Sequence, residues 1–521
     1  MITDFRIQNL RSIKDSGEIK LKPIMILLGA NSSGKSTFLR SFPLFTQSVD
    51  KKLRGPIAWF DTSFVDFGDF KTAKNRYAEE SEGISFYYRF KDVMYSSRSR
   101  RYYYNDIESL DSDDLKEGDV MFTLHEDGKG TYIRTFSINL VNAHYQLEIG
   151  DRNGSVNFLN SSVEDELSER FKFNFNTAFG ILPSIIPNNI NENNNTFASY
   201  LAEKLVAIFK RHCNKRLRNE ERLYYILAYR RLDKHGFLNR MKQGSGLISF
   251  QKSIQNWTVN TQEFNYIYNL FVLMKLNTII EIVNTEVASF YHECDYIAPM
   301  RAEANRYYRI QGLQVNSVDS DGHNLLEFIA SLSVREKVSY DKFVKDLLGV
   351  TVEIPSESGM KSLRIKTENG DFSIADVGYG YSQVLPVITK LWHTTYIRTE
   401  SLSVSGRYKY RDFEKATLLM EQPELHLHPA MQAKVADTFV KAIEETRLAN
   451  TAIMLIVETH SQAIVNRIGR RIYEKKIMPD DVNVLLFNKD DQNRNTIIRE
   501  IEFDEKGRLK DWPLGFFDPI D

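Results

Sequence analysis

Cysteine is almost missing from this chain: Cys213 and Cys294 are the two in 521 residues. That excludes a disulfide framework and fits a reducing cytoplasm. Long apolar runs are missing as well. No stretch approaches the ~18 apolar residues of a membrane span, and the N-terminus, MITDFRIQNLRSIKDSG, has no apolar signal core. A cytoplasmic protein with no membrane insertion is expected. Nor does either charge dominate. With 68 Lys and Arg against 69 Asp and Glu, the formal net charge is −1, so contact with nucleic acid requires a local patch. No heptad pattern is sustained and no internal repeat is visible, which argues against a long coiled coil.

What is present is ordinary for a globular protein: 42% hydrophobic and 26% charged residues, in a chain long enough for two or three lobes. The segment ITDFRIQNL alternates, and IKLKPIMILLGA becomes continuously apolar before a glycine loop; both read as strands. From Ser85 to Leu159 the chain is rich in Tyr, Phe, Val and Thr, broken by HEDGKG and GDRNGS, which is the pattern of an antiparallel β lobe. IIPNNINENNN reads as a polar linker, and helical periodicity follows from Thr196 to about Cys294. The last third alternates strands and helices. The expected class is α/β, divided as 1–75 (first part of the core), 76–160 (β lobe), 161–293 (inserted helical, basic region) and 294–521 (rest of the core).

Two patterns carry the chemistry. GANSSGKST, Gly29 to Thr37, follows the apolar strand IMILL and precedes the helical STFLRSF. Such a loop turns backbone N–H groups towards phosphates at a helix start, where the dipole favours an anion. In that setting Gly29, Asn31, Ser32, Ser33, Gly34, Lys35, Ser36 and Thr37 line a nucleoside triphosphate, Lys35 reaches the β- and γ-phosphates and Ser36 binds Mg²⁺. Farther on, ATLLM delivers Glu421 to a strand end, the position of a metal-holding acid. A second apolar run, TAIMLIVETHS, ends in Glu458, Thr459, His460 and Ser461, and a histidine there can sense the γ-phosphate. The stripe Met431, Val435, Phe439 and Ile443 is core packing.

Taken together, these motifs resemble the ABC-type ATPase head of SMC and recombination-repair proteins, in the OLD-like branch found in bacterial anti-phage systems. MEQPELHLH matches the Walker B and D-loop segment, with Glu421 at the metal acid, Gln422 at the usual catalytic glutamate and His428 at the D-loop acid. His460 matches the switch histidine, and DVGYGYSQVLP, with Gly378, Gly380, Ser382 and Gln383, looks like the signature loop. Smaller similar pieces are FVDFGDF, YIAPMRAE, SDGHN and DWPLGFFD. The resemblance implies ATP and Mg²⁺ as cofactors and a head-to-tail homodimer or higher oligomer in which each signature loop closes on its partner's ATP. Gln422 departs from the pattern because an amide cannot take a proton; Glu424 or Glu458 could orient the water instead, and slow hydrolysis is expected. The signature is not LSGGQ, which speaks against a transporter subunit.

No effector domain is evident. About sixty residues follow His460, and Asp480, Asp481, Asp490 and Asp491 read as turn residues rather than a Toprim metal site. His292, Cys294 and Asp295 lack a fourth ligand for zinc. Among defence systems that the chain resembles, Septu- and retron-linked ATPases pair with an HNH nuclease, and PARIS-type ATPases hold a Toprim effector. A separate effector nuclease is therefore expected, with the chain as ATP-dependent sensor; the alternative is an SMC-like repair ATPase that clamps DNA. From Lys210 to Lys242 eleven Lys and Arg face three acids, with Tyr224, Tyr225 and Tyr229 interleaved. That run suits nucleic acid through phosphates and stacking, or else is a solvated helix face with its tyrosines inward. SRSRRYYY, Ser97 to Tyr104, is a weaker candidate of the same kind.

Overall fold

A computed structural model of the chain describes residues 1–49, 51, 53, 55–61, 64–93, 110–149, 156–158, 171–174, 181–188, 196–214, 221–243, 246–292, 294–299, 301, 305–309, 315–357, 359–368, 370–376, 379–404, 416–490 and 495–512. They form two compact units. One comprises Met1–Leu10, Ser48–Ala58 and Asp69–Ser289; the other comprises Arg11–Gln47, Trp59–Gly68 and Phe290–Asp521.

The second unit holds the motifs. Among its elements, in chain order, are β1 (Ile24–Gly29), α1 (Lys35–Val49), β2 (Cys294–Ile297), α2 (Tyr379–Val404), β3 (Ala416–Glu421), α3 (Pro429–Leu448), β4 (Ile453–Glu458), α4 (Gln462–Tyr473), β5 (Val482–Lys489) and β6 (Thr496–Ile501). The sheet order is β2-β3-β4-β1-β5-β6; only β6 runs antiparallel to its neighbour. IMILLG, ATLLME and IMLIVE are buried at every position, as strands covered on both faces must be. Leu418, Leu455 and Val484 of the sheet share a core with Phe439 and Ile443 of α3 and Ile464 and Ile468 of α4. Of the expected stripe on α3, Val435 is also in this core and Met431 packs against it.

Register decides what meets the glycine loop. Glu421 stands opposite Glu458, and Glu458 opposite Leu27. Because β4 lies between β3 and β1, the carboxylate closest to the loop in the sheet is Glu458, one strand nearer than Glu421. Local chemistry sets the helices that follow. Pro429 occupies the first turn of α3 with His428 as its cap, Nδ1 accepting from the Ala430 N–H at 3.3 Å. Ser461 caps α4 by accepting from the Ile464 N–H at 3.1 Å. Farther along α4, Gly469 lies against Gly507: a Cβ on Gly469 would stand 2.3 Å from the Gly507 carbonyl oxygen.

The first unit carries an antiparallel sheet in which Ile2–Leu10 pairs with Ile84–Lys91, followed in order by Glu117–Asp127, Gly130–Leu140, Ala143–Ile149 and Val156–Phe158. Helices Phe197–Arg211 and Gln262–Met274 contribute buried apolar faces to the same unit. The opening strand thus joins the β lobe, and lobe and helical region form one unit, a division unlike the sequence boundaries at residues 75 and 160. Among the described residues, no single helix is long and apolar enough to cross a membrane.

Candidate nucleotide site

β1 runs straight into the glycine loop, and two glycines there stand where no side chain fits. A Cβ on Gly29 would lie 2.4 Å from the Phe487 carbonyl oxygen, and one on Gly34 would lie 2.5 Å from Thr496 Oγ1. Gly34 has a φ of +105° and Ser32 a φ of +59°, the left-handed turns from which anion-binding nests of N–H groups are built. Lys35 is 3% exposed. Its ammonium donates to the Gly29 carbonyl at 3.0 Å and the Ala30 carbonyl at 2.8 Å. Burial holds its pKa below the usual lysine value, with Glu458 and Glu424 opposing that effect. The buried Ser33 hydroxyl has no partner, while Ala30, Asn31 and Ser32 are exposed at the mouth of the loop. A buried cation hydrogen-bonded to loop carbonyls, beside an unpartnered hydroxyl, fits a polyphosphate.

Opposite the loop lie three buried acids with different partners. Glu421 is engaged by Arg40 in a bidentate pair, Nε at 2.7 Å and Nη2 at 2.8 Å, and accepts from the Tyr296 hydroxyl at 2.8 Å. These contacts raise the Arg40 pKa further, and burial first, then the Glu421 charge, pushes the Tyr296 phenol up. Glu458 accepts from Ser36 Oγ at 3.0 Å and stands 3.8 Å from Lys35 Nζ, while its Oε2 is buried without a partner. Desolvation first, and then the neighbouring Glu421 charge, push the Glu458 carboxyl up to about 7. Glu424 accepts from the His460 backbone N–H at 2.7 Å; desolvation raises its pKa also.

Gln422 takes a left-handed φ of +44° at the end of β3. Its N–H donates to the Glu458 carbonyl at 2.8 Å and its own carbonyl accepts from Arg301 Nη2 at 3.3 Å, contacts that hold an otherwise strained backbone. Arg301 is 7% exposed, and its Nε and Nη1 have no partner. Desolvation lowers its pKa to about 10, against the attraction of Glu424. The His460 side chain reaches solvent. Desolvation and the Lys35 charge lower its pKa, which keeps the imidazole neutral near neutral pH.

Lys35, Ser36, Glu421, Gln422, Glu424 and His460 therefore converge at one sheet edge. The signature segment is described only in part. Gly378 lies outside the described residues, Gly380 falls in the first turn of α2, and Ser382 and Gln383 follow it. A Cβ on Gly380 would come 3.6 Å from the His426 carbonyl, so this turn adjoins the segment after Gln422. His428 is a helix cap. Sequence reading missed Arg40, Tyr296 and Arg301 as members of the site. The available signal for Arg40 was a cation set among the apolar residues of FLRSF. Tyr296 and Arg301 lay in the noted YIAPMRAE segment without an assigned role.

The basic run belongs to the first unit. Arg222 donates to the Gly246 carbonyl at 3.1 Å, Arg240 to the Tyr225 carbonyl at 3.0 Å and Lys242 to the Trp257 carbonyl at 2.6 Å. Tyr229 is bonded to Asp233 at 2.6 Å, whereas Tyr225 is 58% exposed beneath the Arg240 guanidinium. Arg216 and Arg218 lie outside the described residues, as do SRSRRYYY and Asp491. Cys294 turns its thiol to the Phe290 carbonyl at 3.3 Å, and burial raises its pKa to about 12. Among the described residues, no group of three or more His, Cys, Asp and Glu side chains could hold a metal ion. A cation here would need phosphate oxygens as well, which suits a hard dication such as Mg²⁺.

The AAA ATPase domain family matches residues 1–465, and a family described as a protein of unknown function (DUF3696) matches residues 477–521. No relative among curated proteins matches the chain. Solved structures that align with it include the SMC head bound to the C-terminal winged-helix domain of ScpA, at 12% identity and a TM-score of 0.34, covering 96% of this chain and 98% of that one. The SMC head domain from Thermotoga maritima aligns at 9% identity and a TM-score of 0.33, covering 96% and 99%.

Proposed function

Because the chain belongs to the AAA ATPase domain family, we propose that its phosphate loop binds ATP with Mg²⁺, that turnover is slow, and that a long-lived ATP-bound homodimer is the working state. The observation that carries this reading is the pairing of an anion-ready loop with a neutral amide, Gln422, at the strand end where a proton acceptor is expected. In this reading Lys35 exchanges its loop carbonyls for phosphate oxygens, and Ser36 with a buried carboxylate provides oxygen donors for the metal. Bound Mg²⁺ supplies charge neutralisation at the β- and γ-phosphates. Neutral His460, beside the Lys35 charge, is suited to donate one hydrogen bond to a terminal phosphate and to lose it when that phosphate leaves. Arg301, buried with two unpartnered nitrogens beside Gln422, keeps the segment positively biased.

The corresponding role is that of a cytoplasmic sensor subunit of an anti-phage complex. Its ATP-bound dimer restrains a separate effector nuclease, of HNH or Toprim type, until a trigger alters the dimer. The family resemblance of EQPELHLHP, ETHS and the glycine loop supports this, and so does the slow cycle that Gln422 implies. The test is single-turnover and steady-state ATP hydrolysis by wild type, Lys35→Ala and Gln422→Glu, with size-exclusion chromatography alongside. Slow hydrolysis by an ATP-held dimer, faster turnover in Gln422→Glu and loss of binding in Lys35→Ala are expected. Brisk wild-type turnover that DNA stimulates, unaffected by Gln422→Glu, would overturn the sensor reading in favour of a DNA clamp.

A further inference from the structure

If the loop binds a nucleotide, as the inference requires, the motif pattern gives the metal to Ser36 and to the acid that closes β3. The side chains divide the work differently. Glu421 has both oxygens committed: Oε1 to Arg40 Nε and the Tyr296 hydroxyl, Oε2 to Arg40 Nη2. It is 2% exposed, so releasing Arg40 would strand a buried charge. Glu424 is tied through Oε1 to the His460 amide, and although its Oε2 is buried without a partner it makes no contact with Ser36. Glu458 alone among these acids touches the phosphate loop, accepting from Ser36 Oγ at 3.0 Å. Its second oxygen is buried with nothing to bond, in a residue 4% exposed. Strand order explains the proximity, because β4 is the direct neighbour of β1.

We propose that Glu458 is the carboxylate that holds the divalent cation beside Ser36, while Arg40 and Tyr296 keep Glu421 outside the coordination shell as a fixed second anion. Charge accounts for the division. Glu421 and Glu458 are direct partners in register and repel one another. Arg40 neutralises the first. Lys35, 3.8 Å away, only partly offsets the second, and it is the side chain that the phosphates would draw off. A dication at Ser36 supplies the missing charge and gives the orphaned Glu458 oxygen a ligand. The Ser36 hydroxyl, now donating to Glu458, would turn its lone pair to the same ion. One carboxylate, one hydroxyl and phosphate oxygens form an ordinary Mg²⁺ shell.

The experiment is Mn²⁺ binding followed by electron paramagnetic resonance, with the non-hydrolysable analogue adenylyl imidodiphosphate on the full chain. Wild type is compared with Glu458→Gln, Glu458→Asp, Glu421→Gln and Ser36→Ala. Affinity for a fluorescent ATP analogue in EDTA is measured in parallel. Glu458→Gln and Ser36→Ala should each weaken Mn²⁺ by about tenfold or more, with Glu421→Gln changing it less than about threefold. Glu458→Asp, which keeps the charge but withdraws it by one methylene, should fall between and also serves if the Gln variant does not fold. Retained Mn²⁺ affinity in Glu458→Gln, or an equal loss in Glu421→Gln, overturns the assignment while leaving nucleotide binding intact. Failure of wild type to bind the fluorescent analogue would instead overturn the nucleotide reading, and this assignment with it.

Discussion

Replacing Glu458 with Gln should make the metal-free, nucleotide-free protein more stable in alkali, and the amount follows from the site. Burial and the Glu421 charge raise this carboxyl from an ordinary 4.5 to about 7, after the opposing help of Ser36 and Lys35 is included. Between those values the folded chain holds a proton that the unfolded chain has released. Stability therefore falls as pH climbs through this window, and the full penalty stands above it. A difference of about 2.5 units corresponds to roughly 3 kcal/mol. Near pH 5 the folded chain keeps its proton and the unfolded chain has released only about three-quarters of one, so the penalty is under about 1 kcal/mol. Glutamine keeps an acceptor for Ser36 and removes the titration. Scanning calorimetry in EDTA should show the variant melting about 5 °C above wild type near pH 8. Near pH 5 the two should melt within about 1–2 °C of each other. A gain that is the same at both pH values, or no gain in alkali, refutes the account of Glu458 as an undercompensated buried acid.

Three further outcomes are expected. Arg40→Ala leaves Glu421 buried with Tyr296 as its remaining side-chain partner and should cost about 2–3 kcal/mol by urea denaturation; adding Glu421→Gln should restore most of it. Gly469→Ala forces a methyl to 2.3 Å from the Gly507 carbonyl and should cost about 2 kcal/mol, seen as a lower melting temperature. Charge reversal at Arg216, Arg218 and Arg222 should weaken nucleic-acid or partner binding at low salt and flatten its salt dependence. Unchanged binding would assign that run to a solvated face.

How much of the site could be read from the chain depends on the distance over which each interaction acts. The glycine loop is local: a strand, nine residues and a helix start specify it, and GANSSGKST contains all of its donors. The apolar runs before Glu421 and Glu458 likewise announce buried strands ending in acids. Their ranking against the loop does not, because it depends on β4 entering the sheet between β3 and β1, a pairing across more than four hundred residues. Arg40 is a similar case. On the helix it is one polar residue among Phe38, Leu39 and Phe42, and only the approach of β3 gives it a carboxylate. The opening strand alternates as any half-buried strand does, so nothing local reveals that its partner is Ile84–Lys91. In the basic run, spacing counts charges but cannot show that Arg222, Arg240 and Lys242 donate to nearby carbonyls.

The turn after β3 and the turn after β4 are laced together twice: Gln422 N–H to the Glu458 carbonyl, and His460 N–H to the Glu424 carboxylate. Neither turn can shift alone without breaking a buried bond. In the proposed cycle, a pull on His460 by a departing phosphate would be shared with the 422–428 segment, whose His426 carbonyl borders Gly380 at the root of α2. Mechanically, the histidine is geared to the segment beside it, and the helix that begins at Tyr379 rests on the same cog.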